Sequence, residues 1–103
     1  MIEDRRAEYF REATRAGLNV AQRHKKTASG LHQKAKTAGH KLASAAAWEA
    51  IEWANRAEGH YMHANALGWG DRDGHKTEAN GAGALKRCEE SLAKAQELLE
   101  RGE

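Results

Sequence analysis

The sequence predicts an all-α protein: a long antiparallel helical hairpin with a third, basic helix beside it, three-helix bundle-like and open to oligomerisation. Three observations predict this. Proline is absent, so no helix interior loses an amide donor or meets a ring clash. Alanine, the strongest intrinsic helix former, occurs 21 times in 103 residues. Small and apolar residues recur at alternating intervals of three and four, the spacing of packed helices.

A single domain covering residues 1–103 is expected from the length. The first element occupies residues 1–29. Its helix runs from Ile2 to about Lys26, with Glu3 and Asp4 early and Arg23 to Lys26 late, as the helix dipole favours. Thr27-Ala28-Ser29-Gly30 supplies a stop.

The second helix spans residues 31–67, with a break expected near Gly39 because glycine costs about 1 kcal/mol relative to alanine in a helix interior. Ala43, Ala47, Ala50, Ala54, Ala57, Tyr61 and Ala64 form a heptad seam of almost pure alanine. Small residues there let a partner helix approach closely.

Residues 68–76 hold three glycines and are expected to form the loop of the hairpin. The third helix follows over residues 77–101, with Leu85, Cys88, Leu92, Ala95 and Leu99 on one stripe. Its leucines should lie over the alanine seam, while Tyr9, Phe10, Ala13 and Val20 of the first helix cover the other side.

Such a core is thin. Leu, Ile, Val and Phe number only 12. The low net charge of +2 and the three tryptophans nevertheless favour a packed fold over disorder. The shortage of bulky residues is greatest over residues 15–41, which would gain from a second copy or a protein partner.

Charge is the clearest functional signal. Residues 1–45 carry ten bases and four acids, whereas residues 46–103 carry seven bases and eleven acids. No acid occurs between Glu12 and Glu49, a run of 36 residues. Within it stand Arg15, Arg23, Lys25, Lys26, Lys34, Lys36 and Lys41, and His24, His32 and His40. Omitting acids forgoes the i,i+4 ion pairs that support an exposed helix and builds a positive field. These seven cations form the candidate binding surface for nucleic acid or an acidic protein surface. The alternative is pairing with the acidic half of this or another chain. The basic segment lacks interleaved aromatics, which argues against base stacking there. Trp69 and Trp48 are the candidate apolar anchors, Trp69 either as a contact or as a lid on the hairpin end.

Other constellations are sparse. His60 and His63 share a helix face near Glu58 and His75 and are the candidate metal ligands, but neither His-Glu-x-x-His nor paired Glu-x-x-His is present. Arg56 and His63 could hold phosphate and move a proton in a ribonuclease-like reaction, on a pair of residues alone. Asp71-Arg72-Asp73-Gly74 fails as a calcium loop, since His75 and Ala82 stand where oxygen ligands belong. The lone Cys88 sits on the leucine stripe as a buried thiol and allows no intrachain disulfide.

The expectation is therefore a non-catalytic binding module with no cofactor and no metal, cytoplasmic, and without a membrane span. A small inhibitor or adaptor of the mobile-element type, binding a nucleic-acid-handling host complex, is the second hypothesis. A metal-dependent or ribonuclease-like enzyme using His60, His63 and Arg56 is the third.

Overall fold

The computed structural model describes residues 2–70 and 72–103, the side chains of residues 2–4 excepted. All regular structure among them is helical: α1 (Ile2–Ala38), α2 (Lys41–Leu67) and α3 (Arg72–Glu100). The helices run up, down and up in a rod of 55 × 17 × 16 Å. Helix α2 packs extensively against both neighbours, and α1 touches α3 more sparingly.

Helix α1 is longer than its sequence suggests, and the stop expected at Thr27–Gly30 is absent. The Thr27 hydroxyl donates to the carbonyl of Arg23 one turn back, at 3.1 Å, so it does not compete for the backbone. Ala28 beside it is fully buried. The packing gained by carrying α1 onward outweighs the modest propensity cost of Gly30.

The chain turns instead at Gly39, whose φ of +76° is the left-handed conformation that glycine adopts without a Cβ penalty. The Gly39 amide donates to Lys36 O at 3.2 Å and the His40 amide to Ala35 O at 2.9 Å. These are the two bonds of a Schellman cap, and they satisfy carbonyls that the helix end leaves unpaired. The end of α3 repeats the device. Gly102 has φ +73°, and the amides of Gly102 and Glu103 reach Leu99 O and Leu98 O at 3.1 and 2.9 Å.

This second cap closes the base of the rod. The backbone oxygen of Glu103 accepts the amides of Leu42 and Ala43 at 2.8 and 3.0 Å. His40, at the N-cap of α2, makes no side-chain capping bond. A neighbouring helix end therefore supplies the acceptor that a serine or aspartate cap normally provides.

At the other end, α3 begins at Arg72 rather than residue 77, and the loop is correspondingly short. Gly74 packs onto the carbonyl of Gly68, where a side chain would collide. The Thr77 hydroxyl, expected near the helix start, lies inside α3 and donates to Asp73 O at 2.6 Å. Asp71, the first residue of the rejected calcium loop, lies outside the described residues.

The alanine seam of α2 is buried as expected, from Ala43 through Ala64. Leu92 packs on the cluster of Ala28, Ala50, Ile51, Ala54 and Cys88, and Leu85 on that of Ala21, Ala57, Tyr61 and Ala84. Helix α1 contributes a matching seam. Its buried residues Phe10, Thr14, Gly17, Ala21, Ala28 and Ala35 stand at heptad spacing. One heptad forward on α1, from Ala21 to Ala28, corresponds to one heptad back on α2, from Ala57 to Ala50. Two small-residue seams thus face each other in antiparallel register. Of the four α1 residues expected to cover the hairpin, Phe10 is buried and Val20 half-buried, whereas Tyr9 and Ala13 face outward. Among the described residues, no helix is long and apolar enough to cross a membrane.

Candidate functional site

Helix α1 carries nine basic and four acidic residues, a net of +5. Its buried seam fixes which side chains face outward. Arg15, Arg23, Lys26, Lys34 and Lys36 are exposed, as is Lys41 at the start of α2, and Lys25 is half-buried at the edge of the seam. They leave α1 at several azimuths, so they wrap its outer arc rather than form one narrow stripe. None of the seven pairs with an acid among the described residues. The ion pair formed there joins Glu97 and Arg101 at 2.7 Å, and His24 Nε2 lies 3.8 Å from the Glu89 carboxylate across α1 and α3. Among the described residues, no ion pair within the chain offsets these seven cations.

Two of the cations share a groove with an aromatic at the base of the rod. An open groove of about 430 Å³ lies between α1 and α2, lined by His32, Lys36, His40, Lys41, Ser44 and Trp48, with Ala35, Gly39 and Ala45 as its small residues. Trp48 is 52 % exposed, so its indole is free to be covered. The His32 ring tilts against it with centroids 5.4 Å apart. His32 is itself fixed: Nδ1 lies 3.1 Å from the Ser44 carbonyl oxygen and 3.2 Å from the Ser44 hydroxyl. A protonated Nδ1 donates to the carbonyl and a bare one accepts from the hydroxyl, so the ring is held in either tautomer.

The sequence reading missed this arrangement. No aromatic is interleaved among the seven cations of residues 15–41, which disfavours base stacking from the sequence, yet the turn at Gly39 folds α2 back so that Trp48 lines the same groove as Lys36. The signal lay in the spacing of Lys41 and Trp48, seven residues apart and so on one face of α2.

Arg15 lines a second groove, of about 240 Å³, with Thr14, Leu18, Tyr61, Met62 and Asn65. Thr14 is buried there, and its hydroxyl lies 2.9 Å from Arg11 O and 3.2 Å from Asn65 Oδ1. Met62 is 57 % exposed on the rim.

Trp69 does not join the cations of the base. It sits at the α2–α3 turn, at the opposite end of the rod from Lys36 and Lys41. Its carbonyl oxygen accepts from His75 Nε2 at 2.7 Å, and its ring meets the edge of His75 with centroids 5.9 Å apart. His75 packs in turn on Phe10, at 5.0 Å. This is the lid arrangement rather than an open anchor.

Among the described residues no group of three His, Cys, Asp or Glu side chains could hold a metal ion, so His60 and His63 are not joined by further ligands. Arg56 lies over the Trp53 ring at 4.6 Å, with Arg87 at 5.2 Å, so the guanidinium proposed to hold phosphate is engaged in stacking. Cys88 is fully buried and its Sγ–H donates to Ala50 O at 3.3 Å. Burial, aided by the nearby charge of Glu89, pushes its pKa up to about 11, the reverse of what a nucleophilic thiolate needs.

Fold and site define a class: a three-helix, all-α protein with a basic outer arc, unpaired with acids among the described residues, and a groove lined by two lysines and a tryptophan. No known family model matches this chain, and no curated protein or solved structure is significantly similar to it.

Proposed function

We propose that this protein is a non-catalytic binding module for a polyanion, nucleic acid in the first instance. The observation that carries the reading is the set of seven cations on α1 and the start of α2, none paired with an acid within the described chain. Leaving that many charges uncompensated on one helix has an electrostatic cost within the monomer. The cost is recovered when phosphates replace the counterions around them. The groove holding Lys36, Lys41 and Trp48 adds a place where contact can be more than electrostatic.

The N-terminus of α2 takes no part in anion binding, because the amides of Leu42 and Ala43 already donate to Glu103. Affinity is assigned to side chains alone.

Binding of labelled oligonucleotides across a salt series tests the reading. Affinity should fall linearly on a log–log plot, with a slope of about −0.7 per phosphate contacted on a single strand. The double variant Lys36→Glu with Lys41→Glu should flatten the slope and weaken binding at every salt concentration. Failure to bind any nucleic acid or inorganic polyphosphate at low salt overturns the reading.

A further inference from the structure

The geometry points to an extended single strand of nucleic acid lying along the α1–α2 boundary, with one base stacked on Trp48 and its phosphates on the α1 side. This rests on the polyanion reading above and names the form of the ligand.

The two grooves lie in line along the boundary of α1 and α2. Both are lined only by residues of α1, α2 and the turn between them. Arg15 and Lys36 are three heptads apart on α1, and Met62 and Trp48 two heptads apart on α2. Residues separated by whole heptads leave a packed helix at nearly the same azimuth. Each groove therefore presents a cation on the α1 rim and a large exposed apolar side chain on the α2 rim. At 1.5 Å per residue the cations stand about 30 Å apart along the rod.

Between the two grooves the exposed rim is polar, and the half-buried Lys25 and Glu58, at the heptad positions of His32 and Ser44, contribute one charge of each sign. Gln22 and Ser29 occupy the same heptad position of α1, and Asn55 that of α2, all three exposed. These side chains hydrogen-bond to sugars and phosphates without opposing them. Glu52 stands one turn beyond Trp48 on the outer side of α2 and is exposed. It repels phosphate from that side and confines the backbone to α1.

An exposed indole selects a single strand. In a duplex the base faces are stacked on one another, and the protein meets only edges and phosphates. In a single strand every base offers a face, and stacking on an aromatic beside backbone-tracking cations is the physical basis of sequence-tolerant binding. His32, held by Ser44, keeps Trp48 from collapsing into the groove.

The test compares three probes at low salt: a short oligothymidylate, an abasic deoxyribose-phosphate strand of equal length, and a duplex. The oligothymidylate should bind roughly tenfold more tightly than the abasic strand, the scale of one stacked base. Trp48→Ala should erase that advantage, and Trp48→Phe should retain most of it. Trp48 is exposed, so circular dichroism and the thermal midpoint of both variants should match the parent. Arg15→Glu should weaken only strands long enough to span both grooves, whereas Lys36→Glu should weaken short and long strands alike. Equal affinity for the abasic strand, or tighter binding of the duplex, overturns the single-strand inference and leaves the polyanion reading standing. Absence of binding to all three probes and to polyphosphate overturns both.

Discussion

The ring of Tyr61 occupies the space that Gly17 leaves by having no side chain. Tyr61 is buried at the centre of the seam, and a Cβ on Gly17 would overlap its ring. On the opposite helix a Cβ on Gly81 would lie 3.0 Å from the same ring. One aromatic is thus clasped between glycines of α1 and α3, and it supplies bulk to a core rich in alanine. Close approach of the axes and a large side chain are reconciled at this single layer.

Substitution of these glycines should separate packing from propensity. Gly17→Ala should destabilise the protein by about 1–3 kcal/mol, the usual cost of overpacking. Gly30→Ala has open space around it and no strained φ, so it should stabilise by about 0.5–1 kcal/mol. Thermal unfolding should therefore move in opposite directions, and a Gly17→Ala midpoint at or above the parent's would disprove the clasp.

The turn glycines report on backbone conformation instead. Gly39 has open space for a Cβ but a φ of +76°, so Gly39→Ala is strained only through its dihedral. A loss of about 1 kcal/mol is expected. Urea unfolding of Gly39→Ala against Gly30→Ala checks it, since both remove a glycine from the unfolded ensemble and only one meets a left-handed native conformation.

Alkaline pH should weaken the fold through Cys88. Its folded pKa is raised from 9.0 to about 11, so the folded state keeps the proton after the unfolded chain has lost it. The contribution to stability is full below pH 9 and is lost as pH rises through 11. Tyr61, whose pKa is raised by burial and then by the charge of Glu78, acts with the same sign above its ordinary value of 10.0. Cys88→Ser keeps a donor for Ala50 O without a group that titrates there, and should flatten the decline in stability between pH 9 and 11. An unchanged slope would rule this origin out. The native thiol should also react with a disulfide reagent only at the rate of unfolding.

The tryptophans should differ in kind. Trp53 packs on both clusters of the core and lies under Arg56 and Arg87, so Trp53→Ala should cost about 3 kcal/mol or more. Trp48→Ala should stay within about 0.5 kcal/mol of the parent, because a half-exposed surface residue loses little packing. Chemical denaturation of the two variants distinguishes a core indole from one left for a ligand.

Several of these relationships were legible before any coordinates. The alanine seam from Ala43 to Ala64 and the leucine stripe of α3 follow from heptad periodicity, because burial on a helix depends on azimuth and azimuth on residue count. The seam of α1 was not legible. Gly17 and Thr14 interrupt its apolar pattern, and their burial is intelligible only once Tyr61 and Asn65 face them. The end of α1 was misplaced for a related reason. Local propensity disfavours helix at Thr27–Gly30, but burial of Ala28 against α2 overrides a difference of about 1 kcal/mol.

The helical class, the charge imbalance and the shortage of bulky core residues are written in the chain, because composition and periodicity do not depend on how it packs. That Trp48 and Lys36 line one groove while Trp69 closes the opposite end emerges only from the packing of the helices. Contact between residues on different helices depends on where the chain reverses, and here that is set by one glycine in the left-handed conformation. Moving the reversal from Gly30 to Gly39 changes which side chains share a groove without altering a single residue.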